Sequence, residues 1–167
     1  MIVTTSDLFV EDVSGAELRV DADYAKIAYV TSNGEVGEFS SSEVPDLFAS
    51  DRISYFLIPE ICILLISELG KQLYRFFLGQ AVIEQISSLK RFDPMCEGFD
   101  YCIWIGHGSG PALCYELGIY KFNSRGQRVW QTCFDEIHTM PEVLDEYLVY
   151  HENEGDITYS LVDGSIT

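Results

Sequence analysis

Three turn signatures constrain this chain more than any other feature. Asn33-Gly34 is the strongest two-residue hairpin signal available, because both residues tolerate positive φ. Alternating residues flank it, with Leu18, Val20, Ile27 and Tyr29 before and Val36 and Phe39 after. Asn123-Ser124-Arg125-Gly126 and Glu152-Asn153-Glu154-Gly155 are turns of the same kind between runs rich in aromatic and β-branched residues. The chemistry predicts antiparallel hairpins, one over 24–31 and 34–40 and others within a meander of about five strands in the C-terminal third. The tyrosines preceding the turns, Tyr29, Tyr120 and Tyr150, are unevenly spaced, so the likeness is one of turn chemistry and not of a repeat with fixed period.

Between the hairpins lies a stretch of different character. Leu64, Leu65, Leu69, Leu73, Phe76, Phe77, Ile83 and Ile86 recur at steps of three and four, the spacing of one buried helical face. Lys90-Arg91 would complement the negative end of such a helix. A shorter helix is expected over 43–50, after the serines at 40–42, and residues 1–15 read as irregular. The expected fold class is therefore α+β: an antiparallel sheet of about seven or eight strands packed against a central helical segment at about 59–90. A mostly β, barrel-like fold is the runner-up. At 167 residues the chain is expected to form a single domain over 1–167.

Charge is distributed unevenly. Ten Lys and Arg against 27 Asp and Glu leave a net charge of −17. The last 39 residues, Val129 to Thr167, hold nine carboxylates and no Lys or Arg. So much uncompensated like charge destabilises a compact state by self-repulsion, and solubility, metal binding or a basic partner are the reasons a chain carries it. Nucleic acid and anionic membrane surfaces are disfavoured as partners, since both would be repelled. The run from Ile53 to Leu69 is too short, and too interrupted by Pro59, Glu60 and Glu68, to span a bilayer as a helix. Five cysteines without a Cys-x-x-Cys pair, and an N-terminus without the build of a signal peptide, point to free thiols in a cytoplasmic protein.

No catalytic signature is present. Gly106-His107-Gly108-Ser109-Gly110 is glycine-rich but lacks the spacing of a dinucleotide fingerprint, the lysine of a P-loop and the order of a nucleophile elbow. The loop still offers an alternative pocket, with His107 as acid or base beside Ser109, for a small enzyme of unrecognised type. Glu152-Asn153-Glu154-Gly155-Asp156 is oxygen-rich, but position 161 is Leu where a calcium loop requires Glu, so neither a metal nor a cofactor is expected.

In size, acidity and absence of catalytic motifs the whole chain resembles the bacterial immunity proteins of polymorphic toxin and contact-dependent inhibition systems. That resemblance implies a protein-binding module that neutralises a basic toxin, such as a nuclease, by covering it. The partner-binding residues expected on the acidic tail are Asp135, Glu136, Glu142, Asp145, Glu146, Tyr150, Glu152, Glu154 and Asp156. Carboxylates would speed encounter with a cationic surface, and an exposed aromatic would supply buried anchor energy. An adaptor protein with no toxin connection is the other alternative.

Overall fold

The computed structural model describes residues 2–4, 7–21, 24–48, 52–67, 69–90, 99 and 101–167. Among them are strands and a single 3-10 turn, Pro45–Phe48, and no α-helix. The expected α+β class is thereby overturned. The chain divides into two compact units, Met1–Leu89 and Lys90–Thr167.

The first unit holds two antiparallel sheets. One is a meander of β2 (Asp7–Glu11), β3 (Glu17–Asp21), β4 (Lys26–Val30) and β5 (Val36–Ser40). In the other, β1 (Ile2–Thr4) lies beside β6 (Arg52–Ile58), followed by β7 (Cys62–Ser67), β8 (Gln72–Phe77) and β9 (Val82–Ser88). Residues 1–15 thus contribute two strands. The hairpin at Asn33-Gly34 pairs Ile27 with Phe39 and Val30 with Val36, and Gly34 sits at φ 79°. Leu18, Val20, Ile27 and Phe39 of the first sheet meet Ile63, Leu65, Tyr74 and Phe76 of the second in one core. The Tyr29 ring stacks on Phe39 at 4.9 Å and covers Gly37, where a β-carbon would overlap the phenol.

The expected central helix at 59–90 is three strands. Leu65 faces Tyr74 across β7 and β8, Phe76 faces Ile83 across β8 and β9, and every residue of β7 is buried. A strand covered on both faces loses the polar–apolar alternation that marks a half-buried one, and its continuous apolar run also matches a buried helix. Two turns separate the three strands, one where the Gly70 amide donates to the Ser67 carbonyl and one at residues 78–81. Leu69, expected in the core, is exposed at the β7–β8 turn. Of the helix expected over 43–50, the described residues form the 3-10 turn, where Asp46 accepts hydrogen bonds from the Lys71 and Gln72 amides, and residues 49–50 lie outside the described residues.

The second unit also holds two sheets. β10 (Cys102–Ile105), β11 (Ala112–Tyr115), β12 (Gly118–Phe122) and β13 (Arg128–Cys133) form one meander. β14 (Glu142–Leu144), β15 (Tyr147–Glu152) and β16 (Gly155–Ser160) form the other. Where five strands are expected, the described residues form seven. Leu113 to Phe122 reads as one apolar strand but is split by a tight turn at Glu116-Leu117, and β14 is too short and exposed to announce itself. Cys114 and Ile119 of one sheet pack on Leu148, Tyr150 and Tyr159 of the other, with Phe134 joining the cluster.

Among the described residues, no helix is long and apolar enough to cross a membrane. Cys62, Cys102 and Cys114 are buried free thiols, Cys133 is an exposed one, and Cys96 lies outside the described residues. Burial pushes the Cys62 thiol up to about 11, so it is an inert core group at neutral pH. The loop expected around Asp93-Pro94 and Glu97-Gly98 likewise lies outside the described residues.

Candidate functional site

The acidic tail folds as the last sheet and the segment leading into it. After β13 the chain turns at Phe134, whose amide donates to the Leu117 carbonyl, and His138 then donates its amide to the Glu116 carbonyl. These bonds tie residues 134–138 to the β11–β12 turn, and the His138 side chain reaches Glu152 of the β15–β16 hairpin. Between segment and hairpin lies a cleft of about 550 Å³. Glu136, Glu152, Glu154 and Asp156 line it, with His138 and Ile157, and among the described residues no Lys or Arg takes part.

His138 fixes one wall. Its ring lies 4.2 Å from Phe134 and 5.5 Å from Tyr150, and its Nδ1 is 2.8 Å from Glu152 Oε1. The Glu152 carboxylate is thereby held in place, while Glu154, in the hairpin turn, is exposed. On the outer face of the same sheet His151 bridges two acids, with Nδ1 at 2.9 Å from Asp156 and Nε2 at 3.2 Å from Glu142. Hydrogen bonds to Asp156 and then Glu142, with the charge of both, hold the imidazole above its usual pKa.

Five of the nine expected partner residues therefore gather around the hairpin: Glu136, Glu152, Glu154, Asp156 and, through His151, Glu142. Asp145 and Glu146 do not join them. They form the β14–β15 turn, at the other end of β15, roughly 17–20 Å along a strand of that length. Asp135 is met by Lys90, with Nζ at 3.3 Å, and so is neutralised within the chain. Tyr150 is corrected from anchor to core residue. Its exposure is 0%, and it is packed edge-on against Phe134 at 5.3 Å and Tyr159 at 5.7 Å, so it offers nothing to a partner. His138, absent from the sequence-based set, is the residue that the structure adds. No local pattern marked it, because its partner lies 14 residues away across a sheet edge.

The glycine-rich loop is organised differently. His107 Nδ1 lies 2.9 Å from Ser109 Oγ, and Nε2 is 3.9 Å from the Glu146 carboxylate. Gly106, Gly108 and Ser109 are exposed, so the pair stands on an open loop. Buried Lys121 donates from below to the Gly110 carbonyl, and desolvation lowers its pKa. Gly110 has φ 123°, and a β-carbon there would overlap the backbone of Phe122 and Asn123. This glycine serves chain packing. Among the described residues, no group of three or more His, Cys, Asp or Glu is arranged to hold a metal ion.

No family model and no curated protein matches the chain. Solved structures do. Virginiamycin B lyase from Staphylococcus aureus, in selenomethionine form, superposes with a TM-score of 0.55 at 10% identity, covering 100% of this chain and 58% of that one. A catalytically inactive variant of virginiamycin B lyase from S. aureus, with quinupristin, gives 0.50 at 15% identity over 95% of this chain and 53% of the other. The chain thus spans little more than half the length of these structures. At such identities the likeness is one of fold, and it agrees with the succession of antiparallel sheets.

Proposed function

We propose that the protein is an acidic binding module whose cleft beside the β15–β16 hairpin receives the cationic surface of a protein partner. One observation carries this reading: Glu136, Glu152, Glu154 and Asp156 converge on a single cleft, and no Lys or Arg lines it among the described residues. Convergent carboxylates make the local potential more negative, which speeds association with a basic protein and rejects acidic ones. Neutralisation of a basic toxin, such as a nuclease, is the biological form that the resemblance to immunity proteins implies. A reducing cytoplasm suits the free thiols.

The test is charge reversal. Glu152→Lys, Glu154→Lys and Asp156→Lys together should slow association with a cationic nuclease at low salt by about tenfold or more. The difference should shrink as ionic strength rises. An association rate unchanged by the triple substitution removes the cleft from the proposal.

A second reading has its own observation. Ser109 Oγ within 2.9 Å of His107 Nδ1, with Glu146 on the far nitrogen, has the order nucleophile, base and orienting acid. Treatment with a fluorophosphonate decides it: labelling of Ser109 that is lost in His107→Ala supports a hydrolase, and an unlabelled serine excludes this nucleophile.

A further inference from the structure

We infer that Asn33 is a site of spontaneous covalent modification, where loss of the side-chain amide as ammonia separates two turns of the first unit. This goes beyond the binding reading above and does not depend on it. The reaction is attack by the main-chain nitrogen of the next residue on the side-chain carbonyl carbon of asparagine. It therefore needs an exposed side chain and an uncrowded successor. The chain holds three asparagines, Asn33, Asn123 and Asn153. Asn33 and Gly34 are both exposed, and a β-carbon at Gly34 would meet no atom beyond its chain neighbours within 4 Å. Asn123 precedes Ser124, and its carboxamide is held at both ends, the oxygen by the Arg125 and Gln127 amides and the nitrogen by Gln127 Oε1. Asn153 precedes Glu154, whose side chain crowds the nitrogen and whose charge opposes its deprotonation.

The step needs only water as co-reactant. The Gly34 nitrogen gives its proton to hydroxide and bonds to Asn33 Cγ. The bond from Cγ to Nδ2 breaks, and that nitrogen leaves as ammonia with a proton from solvent. The five-membered imide then takes up one water. Opening at the side-chain carbonyl gives an aspartyl residue, and opening at the main-chain carbonyl gives an isoaspartyl one. The Gly34 amide donates to the Thr31 carbonyl at 2.8 Å, and this exposed turn bond sets the pace, because the nitrogen is released whenever the turn frays.

The structure gives the change a consequence. Asn33 Nδ2 donates to the Gly79 carbonyl at 3.0 Å, and beside it the Ser32 amide donates to the Leu78 carbonyl at 2.8 Å. These bonds join the β4–β5 turn to the β8–β9 turn, and so one sheet of the first unit to the other. A carboxylate at position 33 has no hydrogen to donate and sets negative charge against the Gly79 oxygen. The isoaspartyl form also lengthens the main chain by one carbon. It does so inside a turn closed by the Thr31 amide on the Glu35 carbonyl at 2.8 Å. Either product adds one more negative charge to a chain already at −17.

The experiment ages the intact protein at mildly alkaline pH, beside a free peptide of residues 30–36 as the clock. Peptide mass mapping and isoaspartate-specific methyl transfer read the product. Position 33 should gain the mass difference between amide and acid before Asn123 or Asn153 does. Asn33→Gln, whose ring closure needs one more atom, should stay unmodified under the same conditions. In the aged protein, hydrogen exchange at the Ser32 amide should quicken and the thermal midpoint should fall by about 2–5 °C, a shift that fresh Asn33→Asp should reproduce. An Asn33 still intact when the free peptide is fully converted, or when another asparagine has reacted, overturns the site. A converted protein with the Ser32 exchange and midpoint of the fresh one overturns the separation of the turns.

Discussion

Asp12 and Glu60, 48 residues apart, are joined by a hydrogen bond of 3.0 Å from the Glu60 amide to Asp12 Oδ1. Asp12 closes the β2–β3 turn, where its Oδ2 also accepts the Ser14 amide at 2.8 Å, and Glu60 turns β6 into β7 with φ 62°. One buried carboxylate therefore ties the two sheets of the first unit at their turns.

Asp12→Ala should destabilise the first unit by about 1–3 kcal/mol, because it leaves two amides without their acceptor. The pH dependence follows from the same bonds. Burial raises the Asp12 pKa, but hydrogen bonds from Ser14, Glu60 and Val13 outweigh it and hold the carboxyl below its usual range. A depressed folded pKa contributes stability that is full above the unfolded value and is lost as pH falls through the folded one. Denaturant unfolding between neutral and strongly acidic pH should show this loss in the wild type and not in Asp12→Ala.

His151 has the opposite sign. Asp156 and Glu142 raise its pKa, so the stability it contributes is full below the unfolded value of about 6.5 and is lost as pH rises through the folded one. An NMR titration of the ring should give a midpoint above that value. Asp156→Asn should lower the midpoint more than Glu142→Gln, since the bond to Asp156 is the shorter.

Glu152→Ala should release the His138 ring from the cleft wall and cost about 1 kcal/mol of stability. The His138 ring resonances would move and chemical denaturation would read the cost. Unaltered resonances would show that packing on Phe134 alone places the imidazole.

The glycine-rich loop separates packing from freedom. Gly110→Ala meets the Phe122–Asn123 backbone at a positive φ and should destabilise the second unit by about 1–3 kcal/mol. Gly108→Ala has open space around it and should change stability little. Thermal unfolding of the two variants compares them directly.

Much of the hairpin architecture was legible in sequence because turn chemistry is local. Asn33-Gly34 and Asn123 to Gly126 carry their own reasons to turn: Gly34 and Gly126 adopt positive φ, and the Asn123 carboxamide oxygen accepts from the Arg125 and Gln127 amides. The stretch 59–90 was not legible. Its apolar residues satisfy a helical period and a doubly buried strand equally well, and only pairing with neighbours, as between Leu65 and Tyr74, decides between them.

The sequence by itself determined that the tail would be acidic and free of bases, and that its strands would turn at glycine-bearing loops. Tertiary structure alone decided which acids meet. Side chains on one strand alternate between faces, and residues distant in the chain become neighbours only through cross-strand pairing. That pairing sends Tyr150 into the core, leaves Asp145 and Glu146 at the far turn, and brings Glu136 to Glu152, Glu154 and Asp156 in one cleft.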